Sequence, residues 1–225
     1  MVRPLAKFVV VLGTLALLAP PTWAQQQQGR GFGLGMGGGG MILRAENVQK
    51  DLKLSAEQIG KIDATLRSVQ EKHRDDFAAL SDLEPRERMP KMISLNKAVT
   101  EDLKKGLSMT AEQAKRYDQI SLQQRGLMAF ADPTVVEKLK LTQDQRSQIR
   151  EIASAGGAGR GGLAAFKNAS AEEKKDAFRK MRETQRENMK KVMAVLSDDQ
   201  KTEWKELTGE PIEIQFAGGG RRGNN

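Results

Sequence analysis

Apolar residues recur at intervals of three and four along most of the chain between residues 41 and 210, which is the spacing of one face of an α-helix. The pattern predicts a short helix over about residues 43–52 and a longer one over residues 56–80. The buried face of the longer helix is predicted from its apolar positions, which are Ile59, Ile62, Leu66, Val69 and Phe77.

Prolines and capping residues set the next predicted boundaries. Pro85 and Pro90 interrupt the periodic pattern, and we expect the following helix to settle only from Pro90, in the first turn, where a missing N–H costs little. Thr110 precedes a predicted helix over about residues 111–130. Asp132 followed by Pro133 has the N-cap and N1 residue types that begin another helix.

The second half of the chain repeats this plan. A helix is predicted from residue 143, followed by a glycine-rich loop over residues 156–162. Ser170 is the predicted cap of a long helix over residues 171–196, and Ser197 caps a last helix that ends at Gly209. Residues 211–216 alternate weakly and predict a short extended segment, to which the sequence assigns no role.

Four of the predicted helix starts share one pentad: an apolar residue, Ser or Thr, any residue, an acid, and Gln. Ser or Thr acts as the N-cap, and Gln at the third helical position can bond back to it in a capping box. We interpret the pentads as folding signals. Their apolar, capping and glutamine residues are Leu54, Ser55 and Gln58; Met109, Thr110 and Gln113; Leu141, Thr142 and Gln145; and Leu196, Ser197 and Gln200.

The spacing of the pentads predicts a tandem duplication. The first and third copies are 87 residues apart, as are the second and fourth, and Tyr117 matches Trp204 at the same offset. The helix before the second pentad matches only at an offset of 89, which we attribute to extra residues within 107–110. We therefore predict an all-α fold of elongated helical hairpins in two tandem units, residues 41–131 and 132–210.

The ends of the chain differ from this helical region. Residues 1–24 have the pattern of a signal peptide: Arg3 and Lys7, then an apolar run too short to span a membrane, then Ala24 at the cleavage point. We expect export to the periplasm, with an uncleaved anchor as the alternative. Residues 25–40 and the Gly- and Arg-rich residues 217–225 are expected to be disordered tethers.

Composition narrows the chemistry. The chain has no Cys, which excludes disulfides and thiolate metal sites. Its net charge of +8 favours acidic partners or anionic surfaces, while export argues against nucleic acid. His73 is the only imidazole, and no nucleophile has a partner base, so we expect a non-enzymatic protein without a cofactor.

His73 lies in a charged stretch, residues 71–76, that we expect on a solvated helix face. A metal site there would combine the imidazole with Glu71, Asp75 or Asp76. One imidazole beside two cations makes a poor zinc site, and we expect no metal.

The predicted leader, the helical chain and the pentads together resemble the periplasmic Spy/CpxP-like family, whose motif is Leu-Thr-x-x-Gln. The resemblance covers about residues 48–209, and Met109 departs from the motif by replacing Leu. It implies a small curved helical cradle that dimerises and acts as an ATP-independent chaperone or restrains an envelope-stress sensor kinase. Because a member normally carries two motifs, four imply two family units in one chain, joined as a pseudo-dimer.

A second candidate surface lies on the helix predicted over residues 171–196. Its cations recur at three- and four-residue steps beside an apolar side, which suits transient contact with unfolded chains. The alternative is that the methionines are ordinary core and the cations are solvated. The candidate client-binding residues are Lys175, Arg179, Arg182, Arg186, Lys190, Met181 and Met189.

Three functions compete at this point. We expect a binding protein that holds unfolded or partly folded envelope proteins, or the periplasmic domain of a sensor kinase. The alternatives are a metal-responsive envelope protein, disfavoured by one His and no Cys, and a structural component whose Arg- and Gly-rich tails bind anionic surfaces.

Overall fold

A computed structural model describes residues 39–155 and 170–216. Within these ranges it contains ten α-helices, two 3-10 turns and no strand, which confirms the all-α class. The predicted leader, residues 25–38 of the predicted linker, the loop over residues 156–162 and the tail over residues 217–225 lie outside the described residues. No helix in the described ranges has both the length and the hydropathy needed to cross a membrane.

Six described helices and both described 3-10 turns lie in the first half of the chain. Gly39 and Gly40, at the end of the predicted linker, already belong to the first helix. The elements are α1 (Gly39–Ile42), α2 (Glu46–Asp51), α3 (Ala56–Lys72), α4 (Arg74–Ala79), a 3-10 turn (Leu80–Asp82), α5 (Pro85–Gly106), α6 (Ala111–Arg125) and a second 3-10 turn (Gly126–Ala131).

Four described helices follow in the second half, and their order parallels that of the first. Helices α7, α8 and α10 each begin 87 residues after α2, α3 and α6 respectively. Four residues join α5 to α6, but only two join α9 to α10, so the change of offset from 89 to 87 falls at this link. The helices are α7 (Pro133–Lys138), α8 (Gln143–Ala155), α9 (Ala171–Val195) and α10 (Asp198–Thr208).

Two predicted boundaries between the start of α3 and the start of α5 are wrong. The single helix predicted over residues 56–80 breaks at His73, whose φ of −103° and ψ of 7° leave the helical region. Helix α5 begins at Pro85 rather than Pro90, with Glu84 at its N-cap. Pro90 lies inside the helix on its exposed side, where water can replace the hydrogen bond that its missing N–H would have donated.

The predicted inner face of α3 holds except at its first position. Ile62, Leu66 and Val69 are buried, and Phe77 of α4 is buried after the break. Ile59 is 40% exposed, so its predicted burial is wrong. It lies one turn before the first buried residue, in the part of the helix held by capping bonds rather than by packing.

The predicted helix over residues 111–130 also ends early. Helix α6 stops at Arg125 because Gly126 takes a left-handed φ of +51°, and a 3-10 turn continues to Ala131. The predicted start at Asp132 is confirmed: its side chain accepts a hydrogen bond from the Thr134 amide at 2.9 Å, and Pro133 is the first helical residue.

The buried residues form two clusters, and α6 contributes to both. Its Tyr117 and Ile120 belong to the first cluster, with residues of α1 to α5. Its Leu122 packs against the second cluster, which comprises residues of the second 3-10 turn and of α7 to α10. In that cluster the rings of Phe130 and Trp204 stack at a centroid distance of 4.4 Å. One helix therefore lies between the two cores.

Candidate functional site

The first two pentads face each other through their glutamines. Gln58 Oε1 accepts from the Ser55 amide at 2.9 Å, and Gln58 Nε2 donates to Gln113 Oε1 at 2.9 Å and to the Leu107 carbonyl at 3.0 Å. Gln113 Nε2 donates in return to Gln58 Oε1 and to the Lys53 carbonyl, both at 3.1 Å. We call this reciprocal pair a glutamine clasp.

The third and fourth pentads form the same clasp. Gln145 Nε2 donates to Gln200 Oε1 at 2.7 Å and to the Val195 carbonyl at 3.0 Å. Gln200 Nε2 donates to Gln145 Oε1 at 2.9 Å and to the Leu139 carbonyl at 3.0 Å. In both clasps the paired glutamines are 55 residues apart.

The clasps explain why the pentads end in Gln. Each glutamine closes the capping box of its own helix and also bonds a carbonyl at the end of the helix that precedes the partner pentad. The four capping side chains each accept from the amide of the Gln at 3.2 Å. With their amide groups bonded inside the protein, these side chains hold the fold together and leave little to bind a ligand.

The apolar residues of the pentads anchor the clasps to the cores. Leu54 packs in the first cluster, Leu141 and Leu196 are buried in the second, and Met109 is half-buried against the first. Three of the four links that precede a pentad turn through a residue with φ of +50°, namely Lys53, Ser108 and Lys140.

A largely apolar groove of about 700 Å³ lies where α5 approaches the second unit. We call it the interunit groove. Met89 of α5 and Met128 of the second 3-10 turn are 36% and 45% exposed beside it. Its other lining residues are Leu127, Phe130, Ala131, Pro133, Val136, Glu137, Arg146, Ile149, Arg150, Ala153 and Ser154.

Two arginines of α8 border the interunit groove. Arg150 donates to the Arg146 carbonyl and the Ser147 hydroxyl, both at 3.2 Å. Neither Arg146 nor Arg150 has a carboxylate partner among the residues that the structure describes, while Glu137 supplies one acid to the lining. The groove therefore combines adaptable thioether surface with free cations.

The cations predicted on residues 171–196 do not line this groove. Lys175, Arg179, Arg182, Arg186 and Lys190 are all exposed on α9. In the described ranges only Arg179 has a carboxylate partner, Asp176 at 3.1 Å. We call these five the α9 stripe.

The apolar residues in and just after α9 separate into core and surface. Val192 and Leu196 are buried in the second cluster, and Met189 is half-buried against it. Met181 is 40% exposed. Among the side chains whose burial the structure describes here, Met181 therefore offers the most apolar surface to a partner.

His73 is buried, contrary to the expected solvated face. The break between α3 and α4 places its Nε2 at 2.7 Å from Asp102 Oδ2 of α5 and its Nδ1 at 3.4 Å from Asp76 Oδ2. Lys72 Nζ lies 2.7 Å from the same Asp102 oxygen. The hydrogen bonds from Lys72 and His73 hold the pKa of Asp102 below its ordinary value. The cluster thus ties α3 and α4 to α5.

No group of three or more His, Cys, Asp or Glu side chains in the described ranges is placed to hold a metal ion. The sequence analysis did not identify Met128, Arg146 or Arg150. These residues come from separate segments, and nothing in their local pattern indicates that the fold brings them together.

Comparisons with known proteins show no family for this chain. No protein-family model matches the chain, and neither a curated protein nor a solved structure matches it.

Proposed function

We propose that the chain is an exported, non-enzymatic binding protein that holds apolar segments of non-native polypeptides in the interunit groove without nucleotide. The observation that carries this proposal is the groove itself: about 700 Å³, mostly apolar, with two exposed methionines and two arginines beside it. Its size lies in the range of natural ligand pockets.

The chemistry of the lining favours a variable apolar partner. Methionine is unbranched and polarizable, so Met89 and Met128 can adapt to differently shaped side chains. Arg146 and Arg150 can meet the acids that unfolded chains also expose, because neither forms an ion pair with a carboxylate of the described residues. The export part of the proposal rests on the leader pattern of residues 1–24.

The test is aggregation suppression by the leader-free protein at stoichiometric amounts, without ATP. The double variant Met89→Gln/Met128→Gln keeps side-chain length but places amides in the groove, and we expect client binding to weaken about ten-fold. Met41→Gln is the matched control, since Met41 is 42% exposed and does not line the groove.

A third variant separates the two candidate surfaces. Met181 is as exposed as Met89 but belongs to α9, so Met181→Gln should leave suppression unchanged if the groove holds the client. Loss of suppression in Met181→Gln, with the double groove variant unaffected, would move the client site to the α9 stripe and refute the groove. Thermal melts of all variants show whether any loss reflects unfolding.

Anionic surfaces are a second candidate partner, favoured by the five exposed cations of the α9 stripe. Binding to vesicles containing anionic lipid should then fall when the stripe is reversed in charge and should weaken steeply with salt. Vesicle binding that survives charge reversal would remove this candidate.

A further inference from the structure

The last described residues of the chain lie across the first unit although they follow the second. Asn47 of α2 donates through Nδ2 to the Glu213 carbonyl at 2.8 Å and accepts through Oδ1 from the Gln215 amide at 3.2 Å. One side-chain amide thus bonds both a carbonyl and an N–H of the same extended segment. We call residues 211–216 the strap.

A second amide side chain bonds the main chain leading into the strap. Gln123 Nε2 donates to the Thr208 carbonyl at 2.6 Å and the Glu210 carbonyl at 2.8 Å, and its Oε1 accepts from the Ile212 amide at 3.0 Å. Asn47 and Gln123 both belong to the first half of the chain. Together they contact five main-chain groups between residues 208 and 215.

The strap side chains alternate between the protein and the solvent. Ile212 and Ile214 pack against the first cluster, whereas Glu213 and Gln215 are exposed. A two-residue alternation is how an extended peptide presents one face to a surface. The surface beneath the strap therefore binds main-chain groups and two aliphatic side chains, and it contacts little of the side chains between them.

The strap is only partly buried. Ile212 and Ile214 remain half-exposed, and Phe216 at its end is 55% exposed. It leaves α10 through Gly209, whose φ of +62° ends the helix. A short segment with such contacts can leave its site without unfolding the helices beneath it.

We propose that Asn47, Gln123 and the adjoining face of the first cluster form a binding site for an extended segment of another polypeptide with aliphatic residues at alternate positions, and that the strap occupies this site in cis. The partner segment adopts the strap's pattern, aliphatic at positions i and i+2. The strap is then a tethered competitor, present at an effective concentration in the millimolar range for a linker this short.

The probe is a fluorescently labelled peptide with the sequence of residues 211–216, measured by anisotropy against the leader-free full chain. In the variant Ile212→Ser/Ile214→Ser the strap loses its apolar contacts but not its place in the chain. We expect the apparent Kd of the peptide to be at least about ten-fold lower for this variant than for the wild type. Equal affinity for the two proteins would overturn the proposal.

A substitution in the site provides the matched control. Asn47→Ala in the strap variant removes the donor and the acceptor that hold the segment, and peptide binding should weaken about ten-fold. Asn96→Ala, on α5, removes a side-chain amide that bonds no main-chain group of the strap, and it should leave the Kd unchanged. Equal effects of the two alanines would show that the peptide binds elsewhere.

A measurement on the wild type keeps the test decisive should the strap variant not fold. Excess peptide should accelerate hydrogen exchange at the Ile212 and Gln215 amides, because displacement of the strap frees both from Gln123 and Asn47. Exchange of core amides in α6 should not change. Strap amides that stay equally protected at high peptide concentration would refute the exchange of one segment for another. The Met89→Gln/Met128→Gln variant should bind the peptide normally, which separates this site from the interunit groove.

Discussion

The second glutamine clasp gives the most direct test of what the pentads do. Thr142→Ala removes one capping hydroxyl and should cost roughly 1 kcal/mol of unfolding free energy. Gln145→Ala removes four side-chain hydrogen bonds: from the Thr142 amide, to the Val195 carbonyl, and one in each direction with Gln200. At roughly 0.5–1.5 kcal/mol for each bond, and with partial exposure to water, we expect a loss of about 2–4 kcal/mol.

The reciprocal geometry predicts how the two glutamines combine. Gln200→Ala also removes four bonds, but two of them are those shared with Gln145, so the double variant removes six rather than eight. The double variant should therefore be less destabilised than the sum of the single variants, by roughly 1–2 kcal/mol.

Urea unfolding followed by circular dichroism, with all four proteins at one pH, measures this coupling. Additivity of Gln145→Ala and Gln200→Ala to within about 0.3 kcal/mol would refute the clasp as a cooperative unit. Aggregation suppression is to be compared at a temperature where every variant is folded. A loss of suppression in Thr142→Ala without a loss of stability would make the pentad a contact site and end its interpretation as a folding signal.

Three further predictions rest on single contacts. Asp102→Asn should lower the unfolding free energy by roughly 1–3 kcal/mol at neutral pH. Because the folded pKa of Asp102 is depressed, this contribution is present above its unfolded pKa of about 3.9 and is lost as pH falls through the folded pKa. The urea midpoints of variant and wild type should therefore approach each other as the pH is lowered below about 3.9. A midpoint difference that does not shrink with falling pH would contradict this cause. Gly209→Ala should destabilise the protein by about 1–2 kcal/mol, because φ is +62° and the new methyl group collides with the Gln119 side chain. Gly60→Ala, in open space on α3, should instead stabilise it by about 0.5–1 kcal/mol. Melting temperatures that move in the same direction for both variants would contradict this reasoning. Charge reversal at Arg179, Arg182 and Arg186 should change the unfolding free energy by no more than about 0.5 kcal/mol per site, since all three are exposed. It should also slow the capture of acidic clients at low salt. A large fall in melting temperature would show that the α9 stripe is packed inside the structure.

The N-terminal ends of the helices were the features that the sequence predicted best. Ser55, Thr110, Ser170 and Ser197 are N-caps as predicted, because a capping box depends only on residues three positions apart. Ser170 forms its box with Glu173, a fifth capping box in which Glu takes the place of Gln.

The errors arose where tertiary contacts decide. His73 reads as a surface residue from its charged neighbours, but its burial depends on Asp102, 29 positions later. Pro90 reads as a helix start, but Pro85 with Glu84 at the N-cap offers an earlier start, and exposure of the Pro90 turn makes the missing hydrogen bond tolerable. The interunit groove and the strap site both join residues that are distant in sequence, and no local pattern encodes that proximity.

The position of α6 decides whether the two halves of the chain can be separated or exchanged between proteins. Tyr117 and Leu122 of this one helix pack in different cores, and Phe130 stacks on Trp204 across the predicted unit boundary. A cut between residues 131 and 132 therefore removes Leu122 and Phe130 from the second core. We expect the described helices to melt in a single calorimetric transition, with calorimetric and van't Hoff enthalpies in agreement. The two halves repeat the same order of helices, but neither is expected to fold without α6. Any transplant, exchange or further duplication of one half must therefore include this helix.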